Sequence, residues 1–468
     1  MYYVPDEPLA QRVAAWLRSL PFSEKFLIAS AAIFILLFLF FYPPFFTSID
    51  ESQYVKQAWL FLHGRLGEQD PLQAFDLFWN GSFFVPRYPP LTALLLAPFL
   101  FLGWQFSFLL NLLVHLAGFS VFYLLLKRLR INPAFAVLYL FFPASALFSR
   151  FAVSEPLSAL FVLLGAYLYL SDGENAKAHF LSGAFFGLAI AARYTNALAF
   201  APFLLFAFFD NKEKLARLVL GALPFVALLL LFNNAAFGGF LRTGYSITGE
   251  SLKFEFGAEF FSKLPAYAAV LLAVFPAMLA VVFFERTRLF RETVLASALF
   301  LLFFSAYFWS ANILGISDIL TKARFFLPII GLLLVPYASF LSRMASKFSL
   351  PEKPFLFGTL AVLAVATLFV FSAHFNAGQE KLALFEKLQS SVPDGSLAIT
   401  QANCLTLKGQ AEHSDLGMFF GGMFNQTKSI NASRDFEKYL PEFRDAFLVN
   451  RNCVPGNEPL TITRLVPK

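Results

Sequence analysis

Charge is what this sequence has least of. Only 14% of its 468 residues are Asp, Glu, Lys or Arg, against roughly 25% in a soluble globular domain. That leaves too little polar surface to cover a water-soluble body of this size. Cysteine is nearly absent too. Cys404 and Cys453 stand alone, without metal-ligand spacing. The sequence holds no Walker-type Gly-rich loop, no GxGxxG after a strand, no HExxH and no GxSxG, which excludes the common soluble nucleotide-binding and hydrolase signatures. Its five histidines, at 63, 115, 179, 374 and 413, are scattered. No internal repeat and no heptad seam is visible. The first 25 residues are polar and basic, and the apolar run after them is long enough to stay as an anchor, so no cleavable signal peptide is expected.

What the chain has is apolar length. It is 58% hydrophobic, with 65 Phe, and its mean hydropathy is +0.65. A bilayer core of about 30 Å takes about 20 apolar residues per helix. Segments 26–46, 104–126, 132–150, 156–171, 178–192, 195–209, 218–235, 264–284, 292–310, 325–341 and 355–373 meet or approach that. They predict an all-α polytopic membrane protein of about eleven transmembrane helices. The net charge of +6 is not a nucleic-acid footprint, because the cations sit in short loops between apolar runs. Arg12, Arg18 and Lys25, then Lys127 to Arg130, Lys212 to Arg217, Arg286 to Arg291 and Arg343 to Lys353 belong on the cytoplasmic side by the positive-inside rule. Alternation then holds if the Pro-interrupted run 89–103 lies at the outer interface without crossing.

This reading gives a cytoplasmic N-terminal segment 1–25 and a transmembrane domain 26–373 with an outer loop 47–103. An extracytoplasmic C-terminal domain, 374–468, follows, small and α/β or β, with a strand-like run at 396–400. The chain is thus expected in the plasma membrane, multi-pass, with a cytoplasmic N-terminus. Cys404 and Cys453 either pair across the C-terminal domain or stay as two thiols. Asn80, Asn425 and Asn431 carry Asn-x-Ser/Thr sequons on the outer side.

Chemistry-bearing residues cluster where apolar runs end on that side. Ser48-Ile49-Asp50-Glu51 reads as a capping box opening a helix over 50–63, which needs no function. Alternatively, Asp50 is a general base for a hydroxyl arriving from outside. Arg87-Tyr88-Pro89-Pro90 sets a rigid helix entry, with Arg87 either snorkelling or ligating phosphate. Glu155, Arg193 and Arg324 each interrupt apolar sequence. Singly, each is an ordinary helix-end charge. Together they form a set in which Arg87, Arg193 and Arg324 converge on one anion while Glu155 holds one of them.

The ordered set resembles the C-type (GT-C) membrane glycosyltransferases, nearest to the protein mannosyltransferase and aminoarabinose transferase branch. The carrying motifs are Asp50-Glu51, Arg87-Tyr88-Pro89-Pro90-Leu91, Ser154-Glu155-Pro156-Leu157, and Gly187-Leu188-Ala189 running into Arg193-Tyr194-Thr195. Phe237-Gly238 with Arg242-Thr243-Gly244-Tyr245, and Arg324-Phe325-Phe326-Leu327-Pro328, complete it. They cover residues 26 to about 341 and leave the C-terminal region unmatched. Tyr88 separates Arg87 from the proline where the aminoarabinose branch has a basic residue directly before it, and the WWDYG motif of oligosaccharyltransferases is absent.

The resemblance implies a polyprenyl-phosphate (dolichyl or undecaprenyl) sugar donor and an inverting transfer on the outer face. It implies a hydroxyl of a lipid, glycan or protein as acceptor. Asp50 would be the base, with Glu51 orienting the acceptor or a divalent metal. Arg87, Arg193 and Arg324 would hold the phosphate, supported by Tyr54, Tyr88, Glu155 and Tyr245. Two other classes compete. A transporter or lipid flippase would show repeats and broken midplane helices. A non-catalytic scaffold would leave Asp50, Arg87 and Arg324 apart in space.

Overall fold

The computed structural model describes residues 18–465 apart from 71–73, 75–76, 172–174, 248–256, 276–280, 282–284, 308–315, 394–395, 404–427, 432–444 and 453–459. Cys404, Cys453 and Asn425 lie outside the described residues.

The chain is a multi-pass bundle of apolar helices. Among the described residues, five helical segments are long and apolar enough to cross a bilayer: Phe22–Phe40, Trp104–Arg128, Lys212–Phe237, Arg324–Lys347 and Glu352–Ser391. Shorter apolar helices, Glu155–Tyr169, Ala176–Ala192 and Tyr194–Asp210, pack among them. Leu36, Phe40, Leu220, Leu228, Val362 and Phe369 stay exposed along three of the long helices, as lipid-facing side chains do in a bundle whose backbone polar groups are satisfied internally. Local chemistry sets the helix ends. Asn175 and Asn211 accept the backbone N–H groups of Ala178 and Lys214 at 3.0 Å each, supplying partners to donors the first turn leaves unpaired. Gly238 closes Lys212–Phe237 at φ 74°, a left-handed conformation that glycine adopts without strain.

Two expected spans differ from the sequence reading. Segment 132–150 is not one helix. It runs as short pieces, Pro133–Ala136, Val137–Phe141 and Pro143–Phe148. Phe142 is extended (ψ 123°) before Pro143, because proline crowds the α conformation of the residue before it. The run 355–373 belongs to a helix of 40 residues, Glu352–Ser391. It continues because buried Phe385 and Leu388 keep an i, i+3 apolar stripe going beyond the apolar segment.

A four-stranded sheet follows, with strands β3 (Leu397–Asn403), β4 (Lys428–Asn431), β5 (Ala446–Asn452) and β6 (Leu460–Leu465) in the order β4-β3-β5-β6. β3 runs parallel to both neighbours, with Leu397 opposite Lys428 and Ala446, and β6 returns antiparallel to β5. A two-stranded hairpin, β1 (Phe78–Trp79) and β2 (Phe84–Val85), lies in the 47–103 loop. The Asn80 side-chain nitrogen there donates to the Ala236 carbonyl at 2.7 Å, so the atom a glycan would need is already bonded.

The helices behind the site approach at backbone contact. A Cβ on Gly221 would sit 1.9 Å from the Phe180 carbonyl oxygen, and one on Gly183 would sit 2.0 Å from that of Leu218. Small residues at these positions let the helices Ala176–Ala192 and Lys212–Phe237 close on each other without a hydrophobic drive, as membrane helices must. Gly221→Leu is therefore expected to lower stability by about 3 kcal/mol or more. Gly358→Leu, where nothing lies within 4 Å, serves as the neutral control. Thermal melting of the purified variants in detergent measures both, and equal melting temperatures would refute the close packing.

Candidate functional site

The helix Ile49–Leu62 starts directly after the first long helix and its Pro43-Pro44 turn. Asp50 lies in its first turn, where the helix N-terminus favours an anion. Its Oδ2 accepts Arg324 Nη1 at 2.6 Å, and Arg87 Nη2 stands 3.6 Å from Oδ1. Tyr88 Oη donates to Oδ1 at 2.5 Å and itself accepts from Arg87 Nη2 at 3.0 Å. A second ion-pair group lies alongside. Arg193 Nη1 meets Glu155 Oε1 at 2.6 Å, and Arg324 Nε is 3.9 Å from the same oxygen. Arg324 therefore bridges the two carboxylates. The side chains of Asp50, Arg87, Arg193 and Arg324 are between 14% and 21% exposed, while Glu155 is 3% exposed. Glu155 is thus the buried anchor, and the others remain within reach of a ligand.

Separate parts of the fold deliver these groups. Glu155 opens a helix with Pro156 behind it, and Arg193 caps the end of Ala176–Ala192. Arg324 begins a 3-10 turn, Arg324–Ile329, which contains Pro328. Tyr54 stacks on Tyr88 with ring centroids 4.4 Å apart at 15° and donates to Ser154 Oγ at 2.8 Å. Gln57 Nε2 donates to the Tyr88 carbonyl at 3.0 Å. Tyr245 meets Tyr88 edge-on at 6.2 Å, and the Arg87 guanidinium lies 6.0 Å from the Tyr245 ring centre. A Cβ on Gly244 would come within 2.2 Å of the Arg87 Cα, so only glycine lets this turn back onto the Arg87 backbone.

Glu51 points elsewhere. Its Oε2 accepts the N–H groups of Thr47 and Ser48 at 2.9 and 3.0 Å, and Oε1 accepts that of Ala152 at 3.0 Å. The Ser48 bond is the glutamate half of the capping arrangement read from the sequence, and the Ala152 bond ties this turn to the segment leading into Glu155. A cation shared between Asp50 and Glu51 would have to displace those N–H groups and the Arg324 ion pair, so the pair as placed does not fit a divalent ion. Among the described residues no group of three or more His, Cys, Asp or Glu is arranged to hold a metal.

The electrostatics separate the two neighbouring carboxyls. Burial alone would push Asp50 up, but Arg324 and Arg87 beside it, with the Tyr88 hydrogen bond, hold it well below the usual carboxylate range. Burial pushes Glu51 up from 4.5 to about 7, against the N–H groups of Thr47, Ala152 and Ser48. Between those values the folded chain keeps a proton that the unfolded chain has shed, so this group's contribution to stability falls as pH rises through that window. Glu51→Gln removes the slope. Because both oxygens accept N–H groups, either amide orientation turns an NH2 against a donor, and the variant is expected to lose about 1–3 kcal/mol. Melting temperatures of both proteins from pH 4.5 to 7.5 test this; parallel curves would refute the assignment.

The structure brings together Asp50, Arg87, Arg193, Arg324, Tyr54, Tyr88, Glu155 and Tyr245, and turns Glu51 inward. Sequence reasoning missed Arg150, fully buried at the end of the broken segment 132–150. Its signal was the same one that marked Arg193 and Arg324, a lone cation ending an apolar run.

No protein-family model matches the sequence, and neither does any curated protein. Solved structures do. ArnT from Cupriavidus metallidurans bound to undecaprenyl phosphate aligns over 91% of this chain and 93% of its own, with a TM-score of 0.59 at 13% identity. The apo state of ArnT from the same organism aligns over 92% of this chain and 93% of its own, with a TM-score of 0.54 at 13% identity. Likeness over nearly the whole of both chains, at an identity that shows the fold alone, leads to one assignment: this chain shares the fold of ArnT from Cupriavidus metallidurans.

Proposed function

We propose that the chain is a glycosyltransferase that moves a sugar from a polyprenyl phosphate to an acceptor hydroxyl, with Asp50 as general base. The observation that carries this reading is the more exposed of the site's two carboxylates, Asp50, held between two guanidiniums, Arg324 and Arg87, at a partly open site. The GT-C fold, and the undecaprenyl phosphate bound by one of the similar structures, support a lipid-phosphate donor. By the distribution of Lys and Arg among the loops, the site faces the outside of the plasma membrane, with the N-terminus in the cytoplasm.

The chemistry follows from the charges. A sugar phosphate is already activated, so no nucleotide site is needed. The leaving group is an anionic lipid phosphate, which needs fixed cations where its charge develops. Asp50 pairs with those same cations. A phosphate that takes Arg324 and Arg87 releases Asp50 from its ion pairs, and its basicity rises when an acceptor hydroxyl must be deprotonated. The acceptor oxygen forms its bond to the anomeric carbon as the bond to the phosphate oxygen breaks. The hydroxyl proton passes to Asp50, and the lipid phosphate leaves from the opposite face, inverting the anomeric centre. Glu155 holds Arg193 and Arg324 in place throughout.

Incubating the purified chain with a panel of undecaprenyl- and dolichyl-phosphate sugars, and following release of the free lipid phosphate, tests the reading. Turnover of at least one donor is expected. No turnover, together with no measurable binding of undecaprenyl phosphate, would sink it.

A further inference from the structure

The Asp50 turn is wired to the last long helix. Glu51 Oε2, which takes the Thr47 and Ser48 N–H groups, also lies 3.3 Å from Thr47 Oγ1. Thr47 Oγ1 is 3.0 Å from His374 Nε2, and His374 belongs to Glu352–Ser391. On the far side of the imidazole, Arg150 Nε donates to His374 Nδ1 at 3.2 Å. An arginine has no acceptor, so Nδ1 carries no proton and the neutral ring holds its proton on Nε2. The direction of every bond is then fixed: Arg150 to His374, His374 to Thr47, Thr47 to Glu51.

The arrangement is buried and costly. Arg150 is fully buried, and its two Nη atoms have no hydrogen-bond partner among the described residues. Its guanidinium rests 4.5 Å from the Phe371 ring centre, one turn before His374 on the same helix. His374 is 6% exposed and packs on Phe151 at 4.3 Å. A cation kept inside a membrane protein calls for a role, and the phosphate-facing group makes no use of this one.

We propose that His374 is a positioning residue for sugar transfer. Locked in one tautomer by Arg150, it holds Thr47 and Glu51, and through them the turn that aims Asp50. The inference rests on the transferase reading and adds that the last helix sets the geometry of the base.

The test uses full-length protein carrying His374→Phe, His374→Gln or Thr47→Val, with the fastest donor of the panel above. Phe keeps the ring packing and loses both bonds. It is expected to lower kcat by roughly tenfold to a hundredfold, with the donor KM and undecaprenyl phosphate binding unchanged, since misplacing a reacting group costs rate. Gln can accept from Arg150 through its oxygen and donate to Thr47 through its NH2, so it is expected to restore most of kcat. Thr47→Val, which keeps the backbone bond to Glu51, should reproduce the loss even if His374→Phe fails to fold. Nitrogen-15 NMR of histidine-labelled protein should show His374 bare at Nδ1 and protonated at Nε2. An unchanged kcat for Phe, equal losses for Phe and Gln, or an Nδ1–H tautomer would each overturn the proposal. If the unaltered chain transfers no sugar, the transferase reading falls, while the NMR result still upholds or overturns the chain of bonds.

Discussion

Asp50→Asn is expected to abolish sugar transfer and at the same time to tighten the grip on undecaprenyl phosphate. The first effect is loss of the base, worth about 10²- to 10⁴-fold in kcat. The second follows from the ion pairs. Asp50 occupies Arg324 at 2.6 Å and stands 3.6 Å from Arg87, so an arriving phosphate must displace a carboxylate to reach its cations. Asn keeps an oxygen for the Tyr88 hydroxyl but gives up the charge. Relief of that competition is expected to lower the dissociation constant about tenfold, or ~1.4 kcal/mol. Titration of both proteins with undecaprenyl phosphate, beside a turnover assay, measures the two effects. Weaker binding by the variant would mean that Asp50 and the phosphate do not share cations.

Arg324→Met should act in the opposite direction on binding and should also damage the fold. Arg324 joins two carboxylates, Asp50 at 2.6 Å and Glu155 at 3.9 Å. Removing it leaves each carboxylate with one cation, Arg87 for Asp50 and Arg193 for Glu155, and takes a charge-assisted hydrogen bond from Asp50, at a cost of about 1.5–3 kcal/mol. Undecaprenyl phosphate affinity should drop roughly a hundredfold, or ~2.7 kcal/mol. The double variant Asp50→Asn/Arg324→Met removes the carboxylate together with its nearer cation. It is expected to recover much of the melting temperature while remaining inactive. If the double variant melts no higher than Arg324→Met, the ion pair is not what holds this region together.

The site was legible in the sequence for a simple reason. A charge in an apolar run costs several kcal/mol in a bilayer, so each survivor among Arg87, Glu155, Arg193 and Arg324 asked for an explanation. Their order along the chain carried the resemblance to one family. Glu51 was legible too, in its bland sense, because a Ser three residues before a Glu is a local signal. The rest was tertiary. Whether Asp50 and Glu51 face together or apart depends on which N–H groups the 149–154 segment presents, and spacing cannot show that. Arg150 carried the same local signal, but its hydrogen-bond partner is a neutral histidine more than two hundred residues away, so only the folded chain shows what it holds. Segment 132–150 looked like one span because hydropathy averages over Phe142-Pro143, whereas the backbone breaks there.

The last helix has 40 residues. At 1.5 Å per residue it is about 60 Å long, roughly twice the thickness of a bilayer's hydrocarbon core. About half of it must therefore reach beyond the hydrocarbon, where Gly378 lies against Pro44 and Phe385 stacks on Phe45 at 5.0 Å, with the four-stranded sheet following its end. Those contacts splint the outer half of the helix to the turn that carries Asp50. Small tilts of this helix within the lipid are thus passed on together to the sheet and to the start of the Asp50 helix.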